Sequence, residues 1–212
     1  KNLKIKISKI FLIKGSGVDL NKFYPLKDKN NKNLRVAFIG RLIKYKGIRE
    51  FLSISKMIKK SNLARTKFYI FGKFDNNNRY NIKINEIRKY YVDNYISWFG
   101  YKSDIWKYLN KIDIAIFPST LREGIPLSLL QAIASGVSVI ASDIPGCRDI
   151  IKNNFNGNLV KKGDINEFYE ALVKLLNDED KRKKYCNQNQ EIIKEFSQEN
   201  INYQFYNLYL ND

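Results

Sequence analysis

FPSTLREGIPLSLLQAIASGVSVIASDIPGCRD, residues 117–149, divides into four pieces with different physics. Phe117–Pro118–Ser119 closes the apolar run IDIAIF, which reads as a buried strand. Arg122–Glu123–Gly124 is a charged loop. Pro126 through Ser135 predicts a helix, because proline suits a first turn whose N–H groups have no intrahelical partner. Leu127, Leu130, Ile133 and Ala134 recur at helical spacing, and Gly136 is placed to end the helix. Val137–Ala141 is a second β-rich apolar run. Strand, polar loop, helix, strand makes a βαβ unit, and such units stack into parallel sheets.

The loop ahead of the helix is the candidate chemical centre. A helix start presents unpaired N–H groups and about half a positive charge, which suits phosphate. Gly124 leaves room for a ligand to approach the backbone, and Glu123 offers an acceptor for hydroxyl groups. Gln131 follows eight residues after Glu123. At helical rise that spacing spans roughly 10 Å, about the distance between two sugars across a diphosphate.

Working outward, RVAFIG (35–40) is a β-rich run ending in glycine and leading into RLIKYKG. A helix is expected from there to about Lys60, with Ile48, Phe51, Leu52, Ile54, Ser55 and Ile58 inward. A glycine at a strand's carboxyl end before a helix is the crevice of a doubly wound sheet. Gly40, Arg41 and Lys46 then sit where a diphosphate meets cations. KFYIFG (67–72) repeats the pattern, followed by a polar loop and a helix expected over 80–93. Ile96–Phe99 is a short strand, Ser103 is placed to cap a helix with Ile105, Trp106 and Leu109 inward, and Cys147–Lys152 predicts a further short helix. Asp164 is expected to cap an amphipathic helix with Phe168, Leu172, Leu175 and Leu176 inward. A charged helix and an aromatic terminal helix complete the chain.

Residues 117–149 resemble the signature of the retaining GT-B glycosyltransferases of family 4, in which a Glu is followed, after seven intervening residues, by a second Glu. Glu123 matches the first position, which in that family meets the donor sugar. Gln131 stands where the second Glu binds the nucleotide ribose; a glutamine keeps an acceptor but loses the charge-assisted bond, about 1 kcal/mol. Arg41 and Lys46 match the two cations of the family's G-R-L-x-x-x-K-G segment, which contact donor phosphates. GSGVDLNKFYP (15–25) resembles the segment after the family's interdomain linker. Tyr101 and Lys102 fall in the loop that lines the base pocket.

The resemblance covers nearly the whole chain and implies an α/β fold: a three-layer α/β/α Rossmann-like domain with about six parallel strands, the C-terminal half of a GT-B fold. Residues 1–212 are expected to form one donor-binding domain, with 1–20 as linker and first strand, Ile10–Ile13 being the strand, and 190–212 as a helical tail. The chain opens at Lys1, so an N-terminal acceptor domain is expected outside it. The implied activity is transfer of a hexose from a nucleotide sugar, a UDP-sugar, to a glycan or lipid-linked acceptor in surface polysaccharide or glycoconjugate assembly. Arg41, Lys46 and Glu123 are the candidate catalytic residues. Gly40, Tyr101, Lys102, Gly124, Ile125, Pro126, Leu127 and Gln131 join them as candidate donor contacts. No cofactor and no metal are expected, since two cations and a helix end hold the phosphates. In a GT-B enzyme the tail helix packs on the N-terminal domain, which would leave Tyr203, Phe205, Tyr206 and Tyr209 exposed here.

Composition bounds these readings. The 212 residues carry a net charge of +17 and no histidine, so any histidine base lies outside the chain. Two cysteines, Cys147 and Cys186, make no disulfide framework and fit a reducing compartment. A cytoplasmic place, peripheral at the inner membrane face, is expected, with an anionic membrane surface as a further partner and no nucleic acid. Two rival readings remain at this stage. A nucleotide-sugar epimerase of the same architecture needs histidine and carboxylate groups, and histidine is lacking. A non-catalytic basic binding module, docking on membrane or nucleic acid, is favoured modestly by Gln131 and by the charge.

Overall fold

A computed structural model describes residues 10–26, 33–61, 63, 65–75, 78–90 and 95–210. Six strands form one parallel sheet: β1 (Leu34–Ile39), β2 (Thr66–Phe71), β3 (Ile96–Trp98), β4 (Ile114–Phe117), β5 (Ser138–Ser142) and β6 (Asn158–Val160). Their order is β3-β2-β1-β4-β5-β6. From β1 the chain steps outward to β2 and β3, then returns to β4 on the other side of β1. The crevice between the carboxyl ends of β1 and β4 is therefore the switch point, where parallel sheets bind ligands.

Alternation along each strand builds the three layers. Ala37, Ile39, Ala115, Phe117, Val139 and Ala141 enter one core, with Leu129, Leu130 and Ile133 of α4 (Leu127–Ala134). Val36, Phe38, Ile114, Ile116 and Ile140 enter the other. That second core is closed by α1 (Ile48–Lys60), α2 (Ile84–Arg88) and α6 (Ile165–Asn177). The buried residues of α1 are Ile48, Phe51, Leu52, Ile54, Ser55 and Ile58, the face that its sequence period marks. On α6 the Asp164 carboxylate accepts from the Glu167 N–H at 3.0 Å, and Phe168, Leu172, Leu175 and Leu176 are buried, as expected. The α/β/α Rossmann-like reading is thus the architecture found.

Several local expectations are corrected. Ile10–Ile13 is not a strand: no bridge joins it to the sheet, and Ile10 and Leu12 are 61% and 79% exposed. Ser103 caps nothing, since residues 103–105 already turn, and α3 (Trp106–Leu109) starts from Ile105 in a helical conformation without a side-chain cap. The helix expected from Cys147 begins two residues earlier as α5 (Pro145–Arg148). Ile144 is extended and Pro145 supplies the fixed φ of a first helical residue. The helix expected over 80–93 shortens to α2, because 81 bridges to Ile43 instead; residues 91–93 lie outside the described residues, as do 1–9 of the linker and 27–32 of the polar loop.

Two helices follow α6: α7 (Glu179–Ile192) and α8 (Gln198–Leu210). Tyr203, Phe205, Tyr206 and Tyr209 of α8 are all exposed. Among the described residues no helix is long and apolar enough to cross a membrane.

Candidate functional site

Backbone contacts that tolerate no side chain draw the walls of the crevice together. A Cβ on Gly47 would lie 2.1 Å from the Pro118 carbonyl oxygen, so the start of α1 rests directly on the exit from β4. Gly47 also has φ of +80°, which a glycine adopts without strain. Across the crevice, a Cβ on Gly146 would fall 2.2 Å from the Gly124 oxygen, so α5 presses on the loop that carries Glu123. Gly124 itself faces open space.

These contacts close an ion pair between residues 77 positions apart: Lys46 Nζ lies 2.5 Å from Glu123 Oε2. Both side chains are largely enclosed, 18% and 22% exposed. The hydroxyl of buried Ser119 lies 3.3 Å from Glu123 Oε1 and 3.1 Å from the Tyr45 carbonyl oxygen, which also accepts from the Thr120 N–H at 2.9 Å. Glu123 is therefore held by a cation on one oxygen and faces a hydroxyl on the other. Below the pair lies Cys147, fully buried; burial pushes its thiol up to about 12, the Glu123 carboxylate adds to the rise, and Lys46 opposes it.

Helix α4 begins beside this pair. Pro126 is its N-cap in an extended conformation, and no side chain caps it. The Leu129 N–H bonds the Pro126 carbonyl at 2.9 Å, so the N–H groups left for a ligand at the head of α4 are those of Leu127 and Ser128. Pro126 sits one position earlier than the sequence reading placed it, at the cap rather than in the first turn. Leu127 is 44% exposed, Gly124 and Gln131 are half-buried or open, and Ile125 packs partly against the core.

Arg41 lies on the same side of the sheet but in a different pair. Its Nη1 is 3.0 Å from Asp75 Oδ2, and both side chains are open to solvent, 53% and 34% exposed. Arg41 and Lys46, expected to act side by side, thus each hold a separate carboxylate in this state. Gly40 donates its N–H to Phe71 at 3.0 Å, continuing the β1–β2 ladder past the strand ends. Tyr101 and Lys102 follow β3, two strands and about 10 Å from β1. Tyr101 is exposed with Lys73 Nζ 5.3 Å from its ring centre, and Lys102 Nζ lies 5.3 Å over Tyr108. The structure does not bring these two to the Lys46–Glu123 pair.

Sequence reasoning missed Ser119, Asp75 and Gly146. The Pro-Ser step at the end of a buried run was a signal for Ser119; nothing local marks Asp75 as a partner of Arg41. No group of three or more His, Cys, Asp or Glu side chains is gathered in a metal-binding arrangement among the described residues. The chemistry present is two cations, each on its own carboxylate, and a helix start around one crevice, which suits an anion carrying hydroxyl groups.

The sequence profile of the family described as Glycosyl transferases group 1 matches residues 23–192. A Campylobacter jejuni protein, N,N'-diacetylbacillosaminyl-diphospho-undecaprenol alpha-1,3-N-acetylgalactosaminyltransferase, is 31% identical over 191 residues, 84% of this chain and 48% of its own length. The Escherichia coli UDP-Gal:alpha-D-GlcNAc-diphosphoundecaprenol alpha-1,3-galactosyltransferase is 30% identical over 191 residues, with the same coverage of 84% and 48%. This chain thus spans about half the length of these curated relatives. Among solved structures, the Anabaena protein HepE in complex with UDP superposes with a TM-score of 0.80 over 92% of this chain and 56% of its own. At 18% identity that likeness concerns the fold.

Proposed function

The chain belongs to the group 1 glycosyl transferases, and we propose that it is the donor-binding half of a retaining family 4 enzyme with GT-B architecture. It takes a hexose from a nucleotide sugar, a UDP-sugar, and passes it to a lipid-linked or glycan acceptor in polysaccharide assembly. The observation that carries this reading is the enclosed Lys46–Glu123 pair beside the uncapped start of α4. The UDP held by HepE supports the nucleotide, and the diphosphoundecaprenol acceptors named for the Campylobacter and Escherichia relatives support the acceptor class.

Each residue then has a physical task. Negative charge develops on the departing diphosphate as the bond to the sugar breaks. Lys46 and Arg41 stabilise that charge, together with the N–H groups over Gly124–Leu127 at the head of α4. Glu123 orients the sugar by accepting from its hydroxyls, and Lys46 holds the carboxylate in place for that task. Gln131 offers its amide oxygen to the ribose. Tyr101 and Lys102 lie further out, toward the base. No metal is needed where cations and a helix end neutralise the phosphates.

Calorimetric titration of the chain with UDP, GDP, ADP and several UDP-sugars tests the reading. Selective binding of UDP is expected, lost in Lys46→Ala, with Glu123→Ala weakening only the sugar forms. Binding to none of the nucleotides overturns it.

One observation favours a second role beside this one, docking at a membrane surface. The edge formed by α1 and α2 exposes Arg49, Lys56, Lys59, Lys60, Lys83, Arg88 and Lys89, and Glu86 is taken up by Arg49 at 2.8 Å and 3.0 Å. Such an edge attracts anionic lipid headgroups. Flotation with anionic vesicles that weakens on Lys→Glu changes at 56, 60 and 89 supports this; binding to neutral and anionic vesicles alike removes it.

A further inference from the structure

The exits of β1 and β2 are pressed together more closely than strand pairing requires. A Cβ on Gly72 would lie 1.8 Å from the Gly40 oxygen, and the Leu42 N–H donates to the Lys73 oxygen at 3.1 Å. The two segments therefore leave the sheet as neighbours, one carrying Arg41 and the other leading into Asp75. The second segment is fixed by its own side chains. Asp75 donates its N–H to Asn81 Oδ1 at 3.0 Å, and Asn81 Nδ2 returns a bond to the Asp75 carbonyl at 2.5 Å. Asn78 Nδ2 reaches the Asp75 carboxylate at 3.4 Å, and the Asn81 N–H donates to the Asn78 carbonyl at 3.1 Å. Asn81 also bridges to Ile43, and Tyr45 packs edge-on against Tyr80 with ring centres 4.6 Å apart. The carboxylate is thus presented to Arg41 by a backbone tied to the crevice wall.

We propose that Asp75 is a built-in competitor for the donor's diphosphate: it holds the Arg41 guanidinium at the crevice and yields it when the diphosphate arrives. The inference rests on the donor-site reading above and extends it to a residue outside the phosphate segment. The pair is suited to exchange. Both partners are open to water, so separating them costs little. A guanidinium binds carboxylate and phosphate through the same forked geometry, so one can replace the other. The Lys46–Glu123 pair, by contrast, is enclosed and has the Ser119 hydroxyl beside it. Asp75 therefore lowers the affinity for any phosphate anion that needs Arg41, and sets how much negative charge a ligand must bring to capture it.

A double-substitution cycle read by calorimetry tests this with UDP as the probe. Asp75→Asn is expected to tighten UDP binding about two- to fivefold, the range of an exposed ion pair. In an Arg41→Ala background the same change should have less than about half that effect, because the competition has gone. Melting curves of each variant check that the loop stays folded. Weaker UDP binding in Asp75→Asn, or an equal gain with and without Arg41, overturns the proposal: Asp75 would then be a positioning support or a general repulsive charge. If UDP binds and Lys46→Ala abolishes it while Asp75→Asn changes nothing, this inference alone falls. No UDP binding by the unaltered chain takes down the donor-site reading with it.

Discussion

Two ion pairs flank the same switch point, and they differ in everything except their chemistry. Lys46–Glu123, on the β4 side, is enclosed between backbones that touch at Gly47 and Gly146. Arg41–Asp75, on the β2 side, stands in solvent at the end of an asparagine-tied loop. An enclosed pair depends on its partner, because either charge alone would be desolvated without compensation. An exposed pair is worth at most about 1 kcal/mol and separates readily. The enclosed pair is therefore suited to hold a carboxylate at a fixed place, and the open pair to change partners.

The sharpest way to break the comparison is to remove the enclosed cation. On the donor-site proposal, Lys46→Ala should lower sugar transfer 100-fold or more, the range for loss of one charge-stabilising donor, as read from kcat. Gly47→Ala and Gly146→Ala attack the enclosure itself. Each forces a methyl group into a carbonyl oxygen, and each should cost roughly 2–3 kcal/mol, measured by urea unfolding. An unchanged midpoint would mean that the walls are looser than the geometry shows.

A pH test probes the same enclosure from below. The Cys147 thiol is raised by folding from its usual value near 9 to about 12. The unfolded chain releases this proton first, so the contribution to stability is complete below pH 9 and is lost between about 9 and 12. Wild type should lose about 1.4 kcal/mol per pH unit over the first part of that window relative to Cys147→Ala. Parallel curves for the two proteins would place the thiol in contact with water.

Smaller effects sharpen the contrast. Ser119→Ala removes the hydroxyl beside Glu123 and should cost about 1 kcal/mol of stability, with weaker binding of the sugar nucleotide than of the free nucleotide. On the open side, Arg41→Ala should move stability by less than about 0.5 kcal/mol in the same urea series, while on the donor-site proposal it should weaken UDP binding. A larger loss there would show that the open pair also supports the fold.

How far the sequence carried these conclusions depends on the range of each signal. The inward face of α1 was legible residue by residue, because helical period and burial coincide along one continuous segment. Segment 181–196 was legible only as a charged helix. Tyr185 within it is fully buried and lies 3.2 Å from Asn158 Oδ1 through its hydroxyl, while Asn189 and Asn156 exchange bonds of 2.9 Å and 3.0 Å. Polar residues in a charged run gave no hint that a second helix layer would cover them. Ile10–Ile13 misled for the opposite reason: apolar alternation reads as a strand, but a strand forms only by pairing with another, and this segment pairs with none of the six.

The sequence by itself determined the strands that end in glycine, the helix headed by Pro126, and the choice of Lys46 and Glu123 as candidates for one site. Those features are written in local order, where period, propensity and turn residues act over a few positions. The tertiary structure alone decided that Lys46 meets Glu123 across 77 residues, that Arg41 is held by Asp75, and that Tyr101 and Lys102 stand two strands away. Such pairings follow from the order β3-β2-β1-β4-β5-β6 and from contacts between backbones that only glycine permits. Spatial adjacency across a sheet is set by how crossovers pack, and no local pattern encodes it.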